Sequence, residues 1–539
     1  MVLWKKFASI LKAAAIIGLF AQLCHAQYQP IQGPGSMMEQ ADTQQLRSIA
    51  AWNSSVSYSR IRITTRDDIE SLYPIIAAYV IQPSLADSVA ELVLDSDGWP
   101  SSRTSYLFMS DINKELKEPP LPVREDVHAA IESYIRGLGL GDKATATMLD
   151  AVEWKKQHLK GNNPETPRGF NDQNAEFGLA ASAVLISLCK NISTLYVGKL
   201  GWRSSLQDYL LKSNYGLLPR QRLQRLEKVE IIAGKGPGYD PSFYSRVELL
   251  DCFRYFHRLP AIHSVVMDGV SEYQANRDLF VPHTSNNIKR IHIGHAGMSS
   301  ERLGMIIRIP KSLEELTVSL GGLWTRDRGL SMMFLKTVGK CLLEQKESLR
   351  VLDLDIDIAV KYREPIYKKE DVIDDEKYQR QKDEYYYLDE AVSNRPLWSN
   401  QLPNTREYGY TLGSLHDFKA MTHLSIGMKA LLGSNVVSEY NPPFHLIEQP
   451  PFRLIDALPP NLEYLCLYGY TKGVNEEIDS HVQEFMEKKA ERLPLLKKVR
   501  GIDETVVDLA STYSIDGPEE DLWKRPEGDI ERDLDWVSL

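Results

Sequence analysis

Asp353, Asp355 and Asp357 stand at alternate positions, and they are the first residues in this chain whose spacing suggests chemistry. On an extended strand, side chains two apart project to the same face, so three carboxylates would line one surface. A divalent cation takes oxygen ligands of that kind. Metal sites, however, draw ligands from several segments, and no glycine-bearing calcium loop surrounds these three, so they read as an acidic patch. His292 and His295 raise zinc in the same way. Three apart on a strand, they face opposite sides unless the chain turns at Gly294, and no third ligand is apparent, so they read as surface histidines. Gly234-Lys-Gly-Pro-Gly has the glycine content of a phosphate loop but lacks its Gly-Lys-Ser/Thr ending, and it reads as a turn. Neither a Gly-x-Ser-x-Gly elbow nor His-Glu-x-x-His occurs. No catalytic, cofactor-binding or metal-ligating residue is assigned, no cofactor is expected, and the expected class is a non-enzymatic binding protein.

What positions these residues is a phrase written repeatedly along the chain. Ile288-x-x-Ile291-x-Ile293 is followed by Leu313-x-x-Leu316-x-Val318 and Leu349-x-x-Leu352-x-Leu354, with 25 and then 36 residues between starts. Each copy reads as a turn and a short strand with alternate residues buried. Further copies begin at Val89, Ile192, Leu226, Ile262, Met421 and Leu462, and Leu496/Val499 resembles a degraded last one. Helical spacing precedes several strands, as in 246–257, 300–309 and 332–347. A strand returning through a helix, repeated at such intervals, is the pattern of an irregular α/β leucine-rich-repeat solenoid, with a parallel concave sheet and helices on the outer face. Helices are expected over 67–81, 124–137, 145–159 and 175–189, inserted around the first copy, and a short strand over 57–63.

In such strands the leucines point into the core and the alternate residues point out. The outward row is Thr194/Tyr196, Lys228/Glu230, Ser264/Val266, Arg290/His292, Glu315/Thr317, Arg350/Asp353, His423/Ser425 and Tyr464/Cys466. From it, with Asp355, the expected partner-binding residues are Tyr196, Glu230, Arg290, His292, Thr317, Asp353, Asp355, His423, Ser425 and Tyr464. If that face is open, replacing Asp353 and Asp355 by lysine should alter partner binding and leave folding intact.

A net charge of −10 argues against non-specific binding to nucleic acid or anionic membrane, which needs a basic field. After the first thirty residues no apolar run is long enough for a transmembrane segment. Lys5, Lys6 and Lys12 precede an apolar run from Ala13 to Leu23, and Cys24-His25-Ala26 follows, the layout of a secretory signal peptide over 1–26. Residues 27–45 read as a flexible leader, 46–190 as a helical region with the first repeat strand, 191–505 as the solenoid and 506–539 as an acidic tail. Residues 360–410, dense in charge and tyrosine, read as a solvated insertion loop. The chain is expected in the secretory pathway if 1–26 is a working signal and in the cytoplasm or nucleus otherwise. Sequons at Asn53 and Asn191 would carry glycans only in the first case, although Asn191 also opens a repeat strand. Cys189, Cys252, Cys341 and Cys466 are scattered with no Cys-x-x-Cys, and read as buried apolar residues.

Phrases such as Ser57-Tyr-Ser-Arg-Ile-Arg-Ile, Val89-Ala-Glu-Leu-Val-Leu-Asp and Pro310-Lys-Ser-Leu-Glu-Glu-Leu-Thr-Val resemble the leucine-rich-repeat and F-box-like proteins of filamentous fungi, over roughly residues 55–505. The resemblance implies a substrate-recognition subunit of a cullin ubiquitin ligase, in which an F-box docks the Skp1 adaptor and the repeats hold a target protein. No Leu-Pro-x-Glu opening precedes Ser57, so the F-box itself is not detectable. Three expectations follow: a protein-binding scaffold with an unidentified protein partner, an adaptor that binds Skp1, or a secreted repeat protein that binds a host or cell-wall partner.

Overall fold

Arginine alternates with isoleucine in β1 (Arg60–Ile63), and the two isoleucines are buried while the arginines stay half-exposed. That is what a strand with one face on a core requires. Thr65 then accepts a bond from the Asp68 N–H while the Asp68 carboxylate accepts one from the Thr65 N–H, and this capping box starts α1 (Arg66–Glu70). The single helix expected over 67–81 is in fact two, because α2 (Leu72–Ile81) begins afresh after Ser71. The Ser71 hydroxyl donates to the Asp67 carbonyl at 3.1 Å, and Pro74 has no N–H with which to continue the ladder. A 3-10 turn over Pro83–Ser88 delivers β2 (Glu91–Leu94).

The computed structural model describes residues 57–96, 99, 123–161, 167–198, 200, 204–231, 245–247, 249–272, 285–321, 333, 335–359, 411–433, 452–504 and 506. The expected signal segment, the leader, Asn53, the 234–238 turn, the 360–410 loop and the tail beyond Val506 lie outside these residues. Three helices follow β2: α3 (Glu125–Arg136), α4 (Asp142–Leu159) and α5 (Pro167–Leu188). Helices α3 and α5 pack on α2, α4 packs on both α3 and α5, and β3 (Thr194–Val197) comes next. The chain continues through α6 (Ser205–Asn214), β4 (Lys228–Ile231), β5 (Ser245–Val247), α7 (Leu249–Arg254), β6 (Ser264–Asp268) and β7 (Val270–Glu272). Next are β8 (Arg290–Ala296), α8 (Ser300–Arg308), β9 (Glu315–Leu320), α9 (Leu335–Leu343) and β10 (Val351–Asp355). The remaining elements are β11 (His423–Gly427), α10 (Met428–Leu432), α11 (Leu454–Ala457), β12 (Tyr464–Tyr468), α12 (Glu476–Arg492) and β13 (Lys498–Arg500).

Eleven strands form one sheet in the order β1-β2-β3-β4-β6-β8-β9-β10-β11-β12-β13, all pairs parallel. Within this sheet each strand pairs with the sheet strands before and after it in the chain, the connectivity of a stack of repeated units, while β5 and β7 stand outside it. Every copy of the phrase is a strand in this sheet, the degraded one included, as β13. The register aligns the phrases with one another: Leu92, Leu195, Val229, Val265, Ile291, Leu316, Leu352, Leu424, Leu465 and Val499 form one continuous row. From Leu92 to Leu465 every member of the row is buried. Burying a side chain of this size is worth about 1.5–3 kcal/mol, so the row forms a core that grows with each unit.

The units also repeat one backbone bond. Ser193 donates to Ala90, Glu227 to Ser193, His263 to Glu227, Lys289 to His263 and Glu314 to Lys289. Arg350, Thr422, Glu463 and Lys497 continue the series, each donating its N–H to the carbonyl of the member before it. Asn191, Asn287 and Asn461, each just before a phrase, share a further task. Their side-chain amides donate to the carbonyls of Asp87, Leu259 and Lys419 in the preceding unit, at 2.7, 3.0 and 2.7 Å.

Two details depart from expectation. The helix expected from Arg246 starts only at Leu249, because 245–247 is taken by β5, which pairs in parallel with β7 as a separate two-stranded sheet. In β10 the outward partner of Glu315 and His423 is Val351, not Arg350, since Arg350 sits one position early with its N–H on the Glu314 carbonyl. Residues 190 and 191 are not a break in the sheet, since β2 and β3 pair directly across the helices inserted between them.

Candidate functional site: the outward face of the sheet

The outward row carries its own network across the strands. At one end Arg60 ion-pairs with Glu91 on the next strand. The Arg60 guanidinium and the Lys228 ammonium stand 5.6 and 5.9 Å from the centre of the Tyr196 ring. Contacts of this kind contribute about 0.5–1 kcal/mol each at exposed sites. Lys228 also meets Glu230 on its own strand at 2.9 Å, and burial, with Glu91 and Glu230 nearby, raises the Tyr196 hydroxyl pKa. Mid-sheet, Arg290 lies 3.0 Å from Glu315 across β8 and β9, and His292 approaches the same carboxylate oxygen at 3.8 Å. The adjacent His292, with the charges of Arg290 and Arg350, holds the Glu315 carboxyl below its usual range despite burial. Further on, the His423 and Tyr464 rings stack with centroids 5.8 Å apart.

Openness is uneven along this row. Arg290 and His423 are exposed, and Tyr196, His292 and Thr317 are half-buried. Glu230, Asp353, Asp355, Ser425 and Tyr464 are buried, although they belong to the outward row. The expectation of an open face is therefore corrected at these five positions, and at Asp353 and Tyr464 neighbouring residues cover the face. The Tyr468 hydroxyl donates to Asp353 at 2.9 Å. Tyr464, Cys466 and Tyr468 form an apolar cluster with Val506, whose segment returns to pair with Tyr468 and accepts the Gly469 N–H. Burial accordingly raises the Tyr464 hydroxyl pKa well above its ordinary value. The alternation rule places a side chain on a face but is silent on whether another segment covers that face.

The aspartate trio does not act as one ligand set. Asp357 lies past the strand, in a short 3-10 turn, and its carboxylate accepts the N–H groups of Lys429 and Ala430 at 2.8 and 2.9 Å, which caps the start of α10. Gly427 makes room for that carboxylate, since a Cβ there would fall 2.1 Å from its oxygen. His292 and His295 do not share a ligand either. A bulge lies between Ile293 and Ala296, His295 adopts a left-handed φ of 44°, and its Nδ1 meets Asp268 at 2.8 Å. Both histidines are half-buried at the surface, and each faces a carboxylate, His292 that of Glu315 and His295 that of Asp268. Asn191 is held at both ends, by its bond to Asp87 and by an Arg225 guanidinium on its Oδ1 at 2.9 Å.

The cluster that sequence reasoning missed lies on the inserted helices. Among the described residues, one set of metal-capable donor atoms converges, from His128 and Glu132 on α3 and Glu153 on α4. Its only sequence signal is the four-residue spacing of His128 and Glu132, which places both on one helical face. Among the described residues no helix is long and apolar enough to cross a membrane. No family model, characterised protein or solved structure matches this chain, so its functional reading rests on its own residues.

Proposed function

We propose that this chain is a non-enzymatic leucine-rich-repeat scaffold that binds a protein partner through the uncovered stretch of its sheet face. The observation that carries this reading is the outward row from Arg60 to Glu315, where cations, carboxylates, a tyrosine and a histidine stand in register on neighbouring strands. Tyrosine and arginine are enriched among the few residues that dominate the energy of protein interfaces, and paired charges set register and partner choice. The partner that fits is a protein surface of mixed charge with an apolar group to meet Tyr196.

Site-specific photocrosslinking tests this in the native host. A benzophenone side chain at Thr317, on the uncovered stretch beside Glu315, should capture one protein that the same group at the exposed Glu347, outside the sheet, does not. Tyr196→Ala with Arg290→Glu should abolish that capture while the chain stays folded. Equal capture from both positions sinks the reading.

A further inference from the structure

Three metal-capable donors converge between the inserted helices. His128 and Glu132 stand one turn apart on α3, and Glu153 faces them from α4. His128 Nε2 lies 2.9 Å from Glu153 Oε2 and 3.4 Å from Glu132 Oε1, and all three donor atoms fall within 4.8 Å of one another. Two ligand atoms each about 2.1 Å from a zinc ion stand roughly 3.0 Å apart in octahedral and roughly 3.4 Å apart in tetrahedral coordination. The two histidine distances match those spacings.

A second observation separates this set from an ordinary ion-pair cluster. The His128 side chain is 3% exposed, and its buried Nε2 makes no aligned hydrogen bond, although two carboxylate oxygens crowd it. Two carboxylate oxygens this close to a buried imidazole nitrogen can be bridged by one cation that all three groups ligate. The other ring nitrogen is already fixed. The Tyr73 hydroxyl on α2 lies 3.0 Å from His128 Nδ1, and the two rings stack with 15° between their planes. When the Tyr73 oxygen accepts the Nδ1–H, Nε2 keeps the lone pair that ligates. Glu132 and Glu153 have side chains 31% and 41% exposed, so an ion has a path in and water can complete its shell.

We propose that His128, Glu132 and Glu153 bind a divalent transition-metal ion, zinc or a neighbour in its series, which ties α3 to α4 beneath Tyr73. One imidazole and two carboxylates favour such an ion over magnesium or calcium, which take oxygen donors. Lys156 competes for the place. Its ammonium sits 2.5 Å from Glu153 Oε2, and it has a second carboxylate to move to, Glu125 at 3.6 Å.

Calorimetric titration of the chelator-stripped full chain with ZnCl2 near neutral pH tests the proposal, with MgCl2 and CaCl2 as controls. One zinc per chain should bind at this site and neither control ion should, and the melting temperature should rise by a few degrees with excess zinc. His128→Ala and Glu153→Gln should each weaken binding about tenfold or more, and Tyr73→Phe about tenfold. Lys156→Met should tighten it several-fold. Glu153→Gln changes a half-exposed group, so a loss there in a protein of unchanged metal-free melting temperature reports the ligand. Cobalt should give a visible ligand-field spectrum in the wild-type chain that His128→Ala removes. No saturable zinc binding, or zinc binding that both His128→Ala and Glu153→Gln leave unchanged, overturns the proposal.

Discussion

Burial decides what each charged residue does in this chain, and Lys155 makes the point most sharply. Its side chain is fully buried, meets Glu70 at 2.5 Å and Asn174 at 2.9 Å, and lies over the Phe177 ring. Burial pushes its pKa down, and the Glu70 carboxylate opposes that shift. Removing the partner of a buried charge strands it, at a cost of about 3–5 kcal/mol, whereas an apolar replacement removes the desolvation penalty as well. Glu70→Ala should therefore destabilise the chain more than Lys155→Met, as read from paired denaturant melts. Asp353 and Asp355 follow the same logic and reverse the expectation drawn from sequence alone. Both are buried, and the Tyr468 hydroxyl sits on Asp353. The double lysine variant should now lose several kcal/mol of stability. A variant that keeps the wild-type melting temperature would show that this part of the face is open.

At the scale of elements, helices are held by close contacts with the segments beside them. Gly339 on α9 lies so close to residue 412 that a Cβ would fall 1.7 Å from the Leu412 carbonyl oxygen, a backbone atom. Gly339→Ala must push the two segments apart, and it should cost about 1–3 kcal/mol, seen as a lower melting temperature. His481 joins α12 to α11. Its buried Nδ1 accepts the Leu454 N–H at 3.2 Å, which it can do only while unprotonated there. Burial lowers its pKa below the usual 6.5, and Arg453 adds to this while Glu477 and Glu484 oppose it. The unfolded chain thus binds a proton more readily than the folded one. This contribution is fully present above about pH 6.5 and fades as pH falls toward the lower folded value. Melting temperature should drop as pH falls from about 7.5 to 5, and His481→Gln should flatten part of that slope.

At the scale of the whole molecule, the sheet has no central core to fall back on, because each unit is buried by its neighbours. Leu352 sits mid-row between Leu316 and Leu424 and is fully buried. Leu352→Asp places an unpaired charge there and should cost several kcal/mol. Hydrogen exchange should show loss of protection spreading outward from β10 into β9 and β11. Native protection in those strands would contradict the register described here.

How much was legible in advance follows from how local each signal is. Periodicity of two along a strand depends only on neighbouring residues, so Leu92 through Val499 could be placed on one row, in the observed register, from their order in the chain. The outward row was legible for the same reason, apart from the one-residue slip at Arg350. Whether a facing residue is open was not legible, because Tyr464 and Asp353 are covered by Val506 and Tyr468, one of which lies beyond the last strand. The break at Ser71 and the bulge at His295 come with side-chain hydrogen bonds, from Ser71 to Asp67 and between His295 and both Asp268 and Ser319, that no periodicity encodes. The set of His128, Glu132, Glu153 and Tyr73 comes from three helices, and only their packing brings it together. The sequence thus specifies the repeat and its inner face, which local alternation controls. Tertiary packing decides which outward residues meet solvent and which distant donors meet one another, because both depend on contacts between segments far apart in the chain.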